Sequence, residues 1–214
     1  FPTSYWRTSI ESSTYPTLGR NLTSDVVVIG AGIAGLVTAV QLIEQGYDVT
    51  LIEADRIASG TTGYTTAKVS SQHGLIYDEL IQTFGEEKAR LYHEANEEAI
   101  RFLRDQTTRL AIECELEEQN AYLYVASSGP KQKQLIKEAD AYKRLGINGG
   151  DATDEVKDKL PYPVEQALVI RNQAQFHPVK YLLGLARHFT EQGGKLYEQT
   201  RATSVESNRT PTVL

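Results

Sequence analysis

The chain has 214 residues, of which 40 % are hydrophobic and 23 % are charged, as is usual for a globular protein with a buried core. Its net charge of −6 argues against nucleic acid as a partner, because phosphate backbones attract basic surfaces. No apolar stretch approaches the ~18 residues that a membrane-spanning helix needs, so we predict no membrane span. The single cysteine, Cys114, can neither form a disulfide within the chain nor hold a metal alone, which favours a cytoplasmic location and predicts no metal site here.

The N-terminal region is predicted to be an extended arm. Residues 1–24 are rich in Ser, Thr, Pro and Tyr, and Tyr5 and Trp6 are the side chains that would attach the arm to the body. The sequence begins at Phe1 and contains no methionine, so we expect it to be part of a longer protein.

A strand, a helix and a second strand are predicted between residues 25 and 53. Residues 25–29 form a β-branched apolar run, typical of a buried parallel strand. Residues 33–45 repeat apolar side chains with a helical period, and Gly46 is a common helix stop. Residues 48–53 have the composition of another strand. This order within ~30 residues indicates a βαβ unit.

The remainder of the chain alternates between helical and extended patterns. Residues 56–74 are rich in Gly, Thr and Ser, and residues 146–163 contain Gly and Pro, so both are predicted to be loops. Helices are predicted at 75–84, 86–109, 131–145 and from Pro178 to about Gly193, and strands at 121–125, 167–170, 195–198 and 202–206. In the helix 86–109 we expect an inner stripe of Leu91, Ala95, Ala99, Phe102 and Leu103.

The motif with chemical content is Gly30-Ala31-Gly32-Ile33-Ala34-Gly35, which lies between the first predicted strand and its helix. Gly30 permits a tight turn, Gly32 lets a pyrophosphate approach the backbone, and Gly35 lets the helix pack closely. The N–H groups of the helix start, including Ile33 and Ala34, attract phosphate. Glu53 can accept hydrogen bonds from both ribose hydroxyls of an adenosine and would repel the 2′-phosphate of NADP. The motif alone leaves FAD and NAD open.

The segment that follows favours FAD. Ile52-Glu53-Ala54-Asp55-Arg56 and Ser59-Gly60-Thr61-Thr62-Gly63-Tyr64-Thr65-Thr66-Ala67-Lys68 resemble the flavin-binding signature of the D-amino-acid oxidase and glycine oxidase superfamily. Residues 72–77 and 172–178 are similar to the bacterial branch of that superfamily that carries a C-terminal Rieske 2Fe-2S domain. The likeness extends over nearly the whole chain, which would be the N-terminal portion of such a protein.

The resemblance implies an α/β fold, in which a Rossmann-like FAD-binding domain contains an inserted, incomplete α+β substrate-type domain. The expected ranges are 25–85 and 177–214 for the FAD-binding domain, and 86–176 for the insertion. Beyond the glycine-rich turn and Glu53, the FAD contacts implied are Ala54, Arg56, Thr61, Thr62, Thr65, Thr66, Ala67, Lys68 and the strand through Ala202.

The implied activity is that of an FAD-dependent oxidoreductase that oxidises an amine or amino-acid-like substrate by hydride transfer to the flavin. Electrons would pass to oxygen or to a Rieske centre, whose 2Fe-2S cluster would lie in a C-terminal domain outside this sequence. The family also has a further C-terminal stretch that closes over the flavin, so we expect this chain alone not to be fully active.

No catalytic residue is assigned from the sequence. His73 follows the threonine-rich segment and is a candidate proton donor or acceptor near a flavin, whereas His177 is interpreted as a cap or turn residue, and His93 and His188 as surface or packing residues. Two other functions stay open, an NAD-dependent dehydrogenase and a non-catalytic cofactor-binding fragment.

Overall fold

The computed structural model of the chain describes residues 3–11, 14–207 and 211–214. Parts of the predicted arm (1, 2, 12 and 13) and of the predicted FAD-binding range (208–210) lie outside the described residues. In chain order, the elements are α1 (Tyr5–Thr8), β1 (Val26–Ile29), α2 (Ile33–Glu44), β2 (Val49–Ile52), a 3₁₀ turn (Thr61–Tyr64), β3 (Lys68–Val69), α3 (Tyr77–Phe84), α4 (Glu86–Arg109), β4 (Glu117–Val125), α5 (Pro130–Leu145), β5 (Gly149–Asp151), α6 (Thr153–Val156), β6 (Gln166–Gln175), α7 (Pro178–Glu191), β7 (Lys195–Tyr197), β8 (Val205–Glu206) and β9 (Thr212–Val213).

Two compact units are formed, and each is built from separate stretches of chain. The first comprises residues 1–67, 107–115 and 177–214, and the second comprises residues 68–106 and 116–176. The predicted domain ranges stay a prediction, and these units group three stretches of chain differently. The predicted arm, residues 1–24, falls within the first unit. Residues 68–85 belong to the second unit, because β3 pairs with β6 and α3 packs on α5. Residues 107–115 belong to the first, where the carbonyl of Cys114 accepts the His177 N–H at 2.6 Å.

The first unit contains the predicted βαβ arrangement. Its parallel sheet has the strand order β1-β2-β7, with Val26 opposite Val49 and Leu51 opposite Leu196. All four residues of β2 are buried, as expected of a central parallel strand. The expectation of a buried strand is wrong for β1, where Val27 and Ile29 are 40 % and 52 % exposed. The helix α2, which connects β1 to β2, packs on α7.

The helix α7 supplies much of the core of the first unit. Pro178 opens it, because proline lacks the N–H that a first helical turn leaves unpaired. Leu182, Leu185, Ala186 and Phe189 follow at helical spacing and are all buried. The helix ends at Glu191, close to the predicted stop.

The second unit is an antiparallel sheet with helices. The strand order is β3-β6-β4, and β5 also pairs with β6. The predicted strands at 121–125 and 167–170 are present but longer, with a register shift between Gln119 and Ala121. The prediction that all of 146–163 is loop is wrong, because Gly149 pairs with Ile170 as part of β5 and a short helix, α6, follows.

The core of the second unit includes a buried carboxylate. Tyr77, Tyr142 and Leu135 are buried together between α3 and α5. Glu138 on α5 accepts the backbone N–H groups of Ile76, Tyr77 and Asp78 at 2.9–3.1 Å, and so caps the start of α3 from another helix. Burial raises the pKa of Glu138, and the three N–H donors oppose that rise.

The predicted inner stripe of α4 is wrong. Leu91 is 59 % exposed and Phe102 is 37 % exposed, whereas Ala89 and Ile100 are buried. The inward side of the helix also carries polar contacts, because the carboxylate of Glu97 accepts hydrogen bonds from Ser71 at 2.7 Å and from the Gln173 amide at 3.1 Å. Among the described residues, no helix combines the length and apolar character needed to cross a bilayer.

Candidate cofactor site

The glycine-rich turn joins β1 to α2 in a conformation that requires glycine at two positions. Gly30 has a φ of +98°, which side chains rarely permit, and its N–H donates to the Ile52 carbonyl at 2.8 Å. A Cβ on Gly35 would lie 1.9 Å from the Gly30 carbonyl oxygen. The turn therefore brings the first turn of α2 directly against the end of β1, as predicted.

The N-terminus of α2 is open to a ligand. Gly32 is its N-cap residue and supplies no side-chain acceptor, so the first N–H groups of the helix lack a side-chain cap. Ile33 and Ala34, in that first turn, are exposed. Gly32 has an ordinary φ of −81°, so its backbone conformation does not demand glycine. Because Gly32 has no side chain, there is space beside the N-terminus of α2, where the helix dipole favours an anion.

Glu53, immediately after β2, holds the turn in place. One carboxylate oxygen accepts the N–H of Ala31 at 2.8 Å, and the other accepts the N–H of Asp55 at 2.9 Å. The Glu53 carbonyl accepts the Thr200 N–H at 2.8 Å, which brings the chain after β7 alongside. Each carboxylate oxygen has a further lone pair, so Glu53 can still accept hydroxyl donors.

The threonine-rich segment lies beside the glycine-rich turn. Thr62 Oγ1 is 3.6 Å from the position that a Cβ on Gly32 would occupy. Thr65 Oγ1 accepts the Ala67 N–H at 3.2 Å, but the hydroxyls of Thr61, Thr62 and Thr66 form no hydrogen bond with any described residue. The 3₁₀ turn Thr61–Tyr64 thus presents unpaired hydroxyl groups next to the N-terminus of α2.

These residues fit the adenosine and pyrophosphate of a dinucleotide. Unpaired N–H groups, threonine hydroxyls and the space at Gly32 lie together, and a carboxylate stands at the end of the next strand. The Ser59 hydroxyl is buried and has no hydrogen-bond partner in the described part of the chain. A buried unpaired hydroxyl costs stability, so a polar ligand that reached it would remove that cost.

Other predicted contact residues are not brought to this place by a described contact. Ala54 and Arg56 lie in the turn after Glu53, and the Arg56 side chain is exposed. Ala67 is buried with a φ of +62°. Lys68 begins β3 in the second unit, and its ammonium donates to the Gln72 carbonyl at 3.0 Å. Their roles toward FAD stay predictions.

The strand predicted through Ala202 is wrong in position. Ala202 lies in coil, and β8 contains only Val205 and Glu206. Gln199 adopts a φ of +52°, which breaks the extended run after β7. Thr200 rather than Ala202 is the residue whose backbone meets Glu53. A contact of Ala202 with FAD remains a prediction.

Two structural contributors were missed by sequence reasoning. Glu198 is buried, and its carboxylate accepts the N–H groups of Ile57 at 2.8 Å and Tyr15 at 3.0 Å. Trp6, expected only to attach the arm, donates its indole N–H to the Thr65 carbonyl at 2.8 Å. The sequence around Glu198 carried no signal of this role, because both of its partners are distant in the chain.

Each of the four histidines contacts a neighbouring group, and the candidate role of His73 in proton transfer stays a prediction. His177 is the N-cap residue of α7, and its Nδ1 accepts the Lys180 N–H at 3.2 Å, in agreement with the cap interpretation. His73 is exposed and lies 2.7 Å from the Tyr92 hydroxyl within the second unit. His188 contacts Glu44 at 2.9 Å, and His93 contacts the Tyr77 hydroxyl at 3.2 Å. Within the described ranges, no group of three His, Cys, Asp or Glu side chains is arranged to hold a metal.

The chain is similar to proteins of known name and structure. The chain is 44 % identical, over its whole length, to YhfW of Bacillus subtilis, which is named as a Rieske 2Fe-2S iron-sulfur protein, and covers 41 % of it. It is 26 % identical, over 94 % of its length, to the gamma-glutamylputrescine oxidoreductase of Escherichia coli, and covers 47 % of that protein. The chain therefore spans less than half the length of these relatives.

The fold is shared with solved glycine oxidases. The enzyme of Geobacillus kaustophilus superimposes with a TM-score of 0.69 at 18 % identity, over 89 % of this chain and 50 % of that one. The enzyme of Bacillus cereus gives a TM-score of 0.65 at 22 % identity, over 87 % and 49 %. These likenesses establish the predicted Rossmann-like fold class.

The family assignment rests on a match along most of the sequence. The family model described as DAO, FAD dependent oxidoreductase, matches residues 25–213, which include the glycine-rich turn, Glu53 and the threonine-rich segment. The chain belongs to the DAO family of FAD-dependent oxidoreductases.

Proposed function

We propose that this chain forms the FAD-binding part of an oxidoreductase that acts on an amine or amino-acid-like substrate. The observation that carries the proposal is the juxtaposition of Gly32 and Thr62, 3.6 Å apart when a Cβ is placed on Gly32, at the uncapped start of α2. The family supplies the identity of the dinucleotide, because its members are FAD-dependent oxidoreductases.

Each part of the site has a task toward the cofactor. The N-terminus of α2 binds the pyrophosphate, the Glu53 carboxylate accepts the ribose hydroxyls, and the hydroxyls of Thr61 and Thr62 donate to phosphate or to the flavin edge. When bound, the flavin supplies the two-electron redox chemistry, and the chain binds and orients it.

The substrate class rests on the named relatives. One is a gamma-glutamylputrescine oxidoreductase, and solved proteins of the same fold are named glycine oxidase and L-amino acid deaminase. Their names share an amine or amino-acid substrate. For the acceptor, we propose oxygen or a Rieske centre, the latter supported by the 44 % identity to YhfW. A cytoplasmic location is proposed from the single cysteine.

The test is the visible spectrum of the purified full-length protein and of this chain, each mixed with FAD and desalted. Retained absorption near ~450 nm, which belongs to the flavin itself, would support the proposal. Gly32→Leu should abolish retention, because its side chain fills the phosphate space, while the apo fold persists because φ at Gly32 is ordinary. Thr38→Leu, on the exposed side of α2, is the matched control.

The outcomes separate the functions that the sequence left open. A yellow full-length protein and a colourless chain would mean that the rest of the protein completes the site. Retention by the Gly32→Leu protein would contradict the assigned position of the pyrophosphate. Binding of NAD without FAD would support a dehydrogenase, and a flavin-loaded full-length protein that turns over none of the amines or amino acids offered would support a non-catalytic role.

A further inference from the structure

The helix α1 and its N-cap residue Ser4 form hydrogen bonds with the threonine-rich segment, which we assign to the cofactor site. Trp6 Nε1 donates to the Thr65 carbonyl at 2.8 Å, and the Ser4 hydroxyl donates to the Gly63 carbonyl. Arg7 donates to the Tyr64 hydroxyl at 2.7 Å, and its guanidinium lies 5.5 Å from the centre of the Tyr64 ring. Three successive residues of the segment are thus held from one short helix.

These contacts do not engage the threonine hydroxyls of the segment. The groups engaged by Ser4 and Trp6 are backbone carbonyls, which fix the orientation of peptide units. The side-chain hydroxyls of Thr61, Thr62 and Thr66 remain without partners among the described residues. A contact that fixes the backbone and does not engage these hydroxyls leaves them available to another molecule.

The threonine-rich segment is also closely packed around Gly63. A Cβ on Gly63 would lie 1.9 Å from the Ala58 carbonyl oxygen and 3.1 Å from Arg7 Cδ. Gly63 is therefore enclosed between the chain at Ala58 and the helix α1. A shift of α1 would have to be followed by the 3₁₀ turn, or would leave two carbonyls without their donors.

The opposite end of α1 is attached to α7. Ser9 Oγ lies 2.9 Å from His177 Nε2, and the Trp6 ring meets the His177 ring edge to face, with centroids 5.1 Å apart. Since His177 Nδ1 accepts the Lys180 N–H, the proton of the neutral ring lies on Nε2 and is donated to Ser9. The helix α1 is consequently fixed to a buried helix cap, not only to a loop.

We propose that α1 is a positioning element for the cofactor, in which Ser4 and Trp6 hold the turn Thr61–Thr65 in its binding conformation. This inference rests on the proposed function. As far as the structure describes the chain, the helix α1 contacts the threonine-rich segment and not Gly32 or Glu53, and Thr62 is the residue of that segment placed beside the pyrophosphate position. The contribution of α1 should therefore be larger for the flavin part of FAD than for the adenosine and pyrophosphate.

The test compares the dissociation constants of FAD and ADP in the full-length protein. ADP carries the adenosine and pyrophosphate but no flavin. Trp6→Phe removes the indole N–H and keeps an aromatic ring against His177, so FAD binding should weaken about three- to tenfold, the effect of one lost hydrogen bond. ADP binding should weaken less than FAD binding, because Thr62 is the residue of the segment placed beside the pyrophosphate position. Ser4→Ala should act in the same way, and would decide the matter if Trp6→Phe does not fold.

Thr8→Ala is the matched control on the same helix. Among the described residues, the Thr8 hydroxyl bonds only to the carbonyls of Tyr5 and of the N-cap residue Ser4. Unchanged FAD binding in both test variants would overturn the proposal while leaving the cofactor assignment intact. Equal weakening of FAD and ADP would also overturn it, since α1 would then support the whole unit. A wild-type protein that binds no FAD would refute the proposed function and this inference together.

Discussion

Single carboxylates hold the loops of the first unit by accepting backbone N–H groups. Glu53 joins the glycine-rich turn to the chain after β2, and Glu198 joins the N-terminal region to Ile57. Hydrogen bonds to charged acceptors contribute about 1.5–3 kcal/mol each. A few side chains can therefore hold segments that have no regular secondary structure.

The protonation of His177 should make the stability of the first unit depend on pH. Burial, together with the nearby Lys180, lowers the pKa of His177, and Glu115 opposes this. Because the folded state favours the neutral ring, stability is full above the ordinary pKa of about 6.5 and is lost as the pH falls through that value toward the lower folded pKa. His177→Asn keeps an N-cap acceptor without a titrating group, so its loss should be smaller.

Urea unfolding between about pH 7.5 and 5.5 measures this difference. The matched control is His73→Asn, since that imidazole is exposed. The remaining histidine with a lowered pKa, His93, is present in both variants and contributes equally to each. Parallel pH profiles for the wild type and His177→Asn would contradict a neutral, capping His177.

At the scale of elements, the junction of β1 and α2 leaves no room for a side chain. Gly35→Ala would put a Cβ 1.9 Å from the Gly30 carbonyl oxygen, so α2 must move away from β1. We expect the free energy of unfolding to fall by about 1–3 kcal/mol, as for other overpacked sites. Chemical denaturation measures the change, and Thr38→Ala, at an exposed position of α2, should stay within about 0.5 kcal/mol. Equal stability of the two variants would show that the junction can relax.

Elements whose own residues specify them were predictable from the sequence, and elements specified by distant partners were not. The β1–α2–β2 unit has period, glycine turn and helix stop in one stretch of chain. The strand β5 contains Gly149 and Gly150, which favour loops, and exists because β6 pairs with it. On α4, hydrophobicity predicted that Leu91 and Phe102 face inward. The side that faces the sheet instead carries Glu97, whose partners Ser71 and Gln173 are distant from it in sequence and could not be inferred from the helical pattern.

The residues of the candidate site also separate into those with a local sequence signal and those whose partners are distant in sequence. The structural roles of Gly30 and Gly35 were predictable because each has a local reason for its position, whereas acceptance of ribose hydroxyls by Glu53 stays a prediction. The role of Glu198 was not predictable, because its partners lie 141 and 183 residues away in sequence. The contact of Trp6 with Thr65 likewise spans 59 residues. No local pattern encodes such pairings.

For the whole molecule, FAD should stabilise the unit that binds it. At a concentration about 100-fold above the dissociation constant, a ligand specific for the folded state adds about 2.7 kcal/mol. Hydrogen exchange of the amides of β1 and β2 should slow accordingly when FAD is added. Riboflavin, which lacks the adenosine and pyrophosphate, is the control. Protection by riboflavin equal to that by FAD would contradict binding through the glycine-rich turn.

The late position of β7 in the chain has a consequence for folding during synthesis. Lys195 at the start of β7 pairs with Asp48, 147 residues earlier, whereas the second unit ends at Phe176. A ribosome adds about 5–20 residues per second, so β2 leaves it on the order of ten seconds before its neighbour exists. Throughout that time the buried strand Val49–Ile52 has an unpaired edge, which is a template for aggregation. We therefore expect the nascent chain to be prone to aggregation at β2 until β7 emerges.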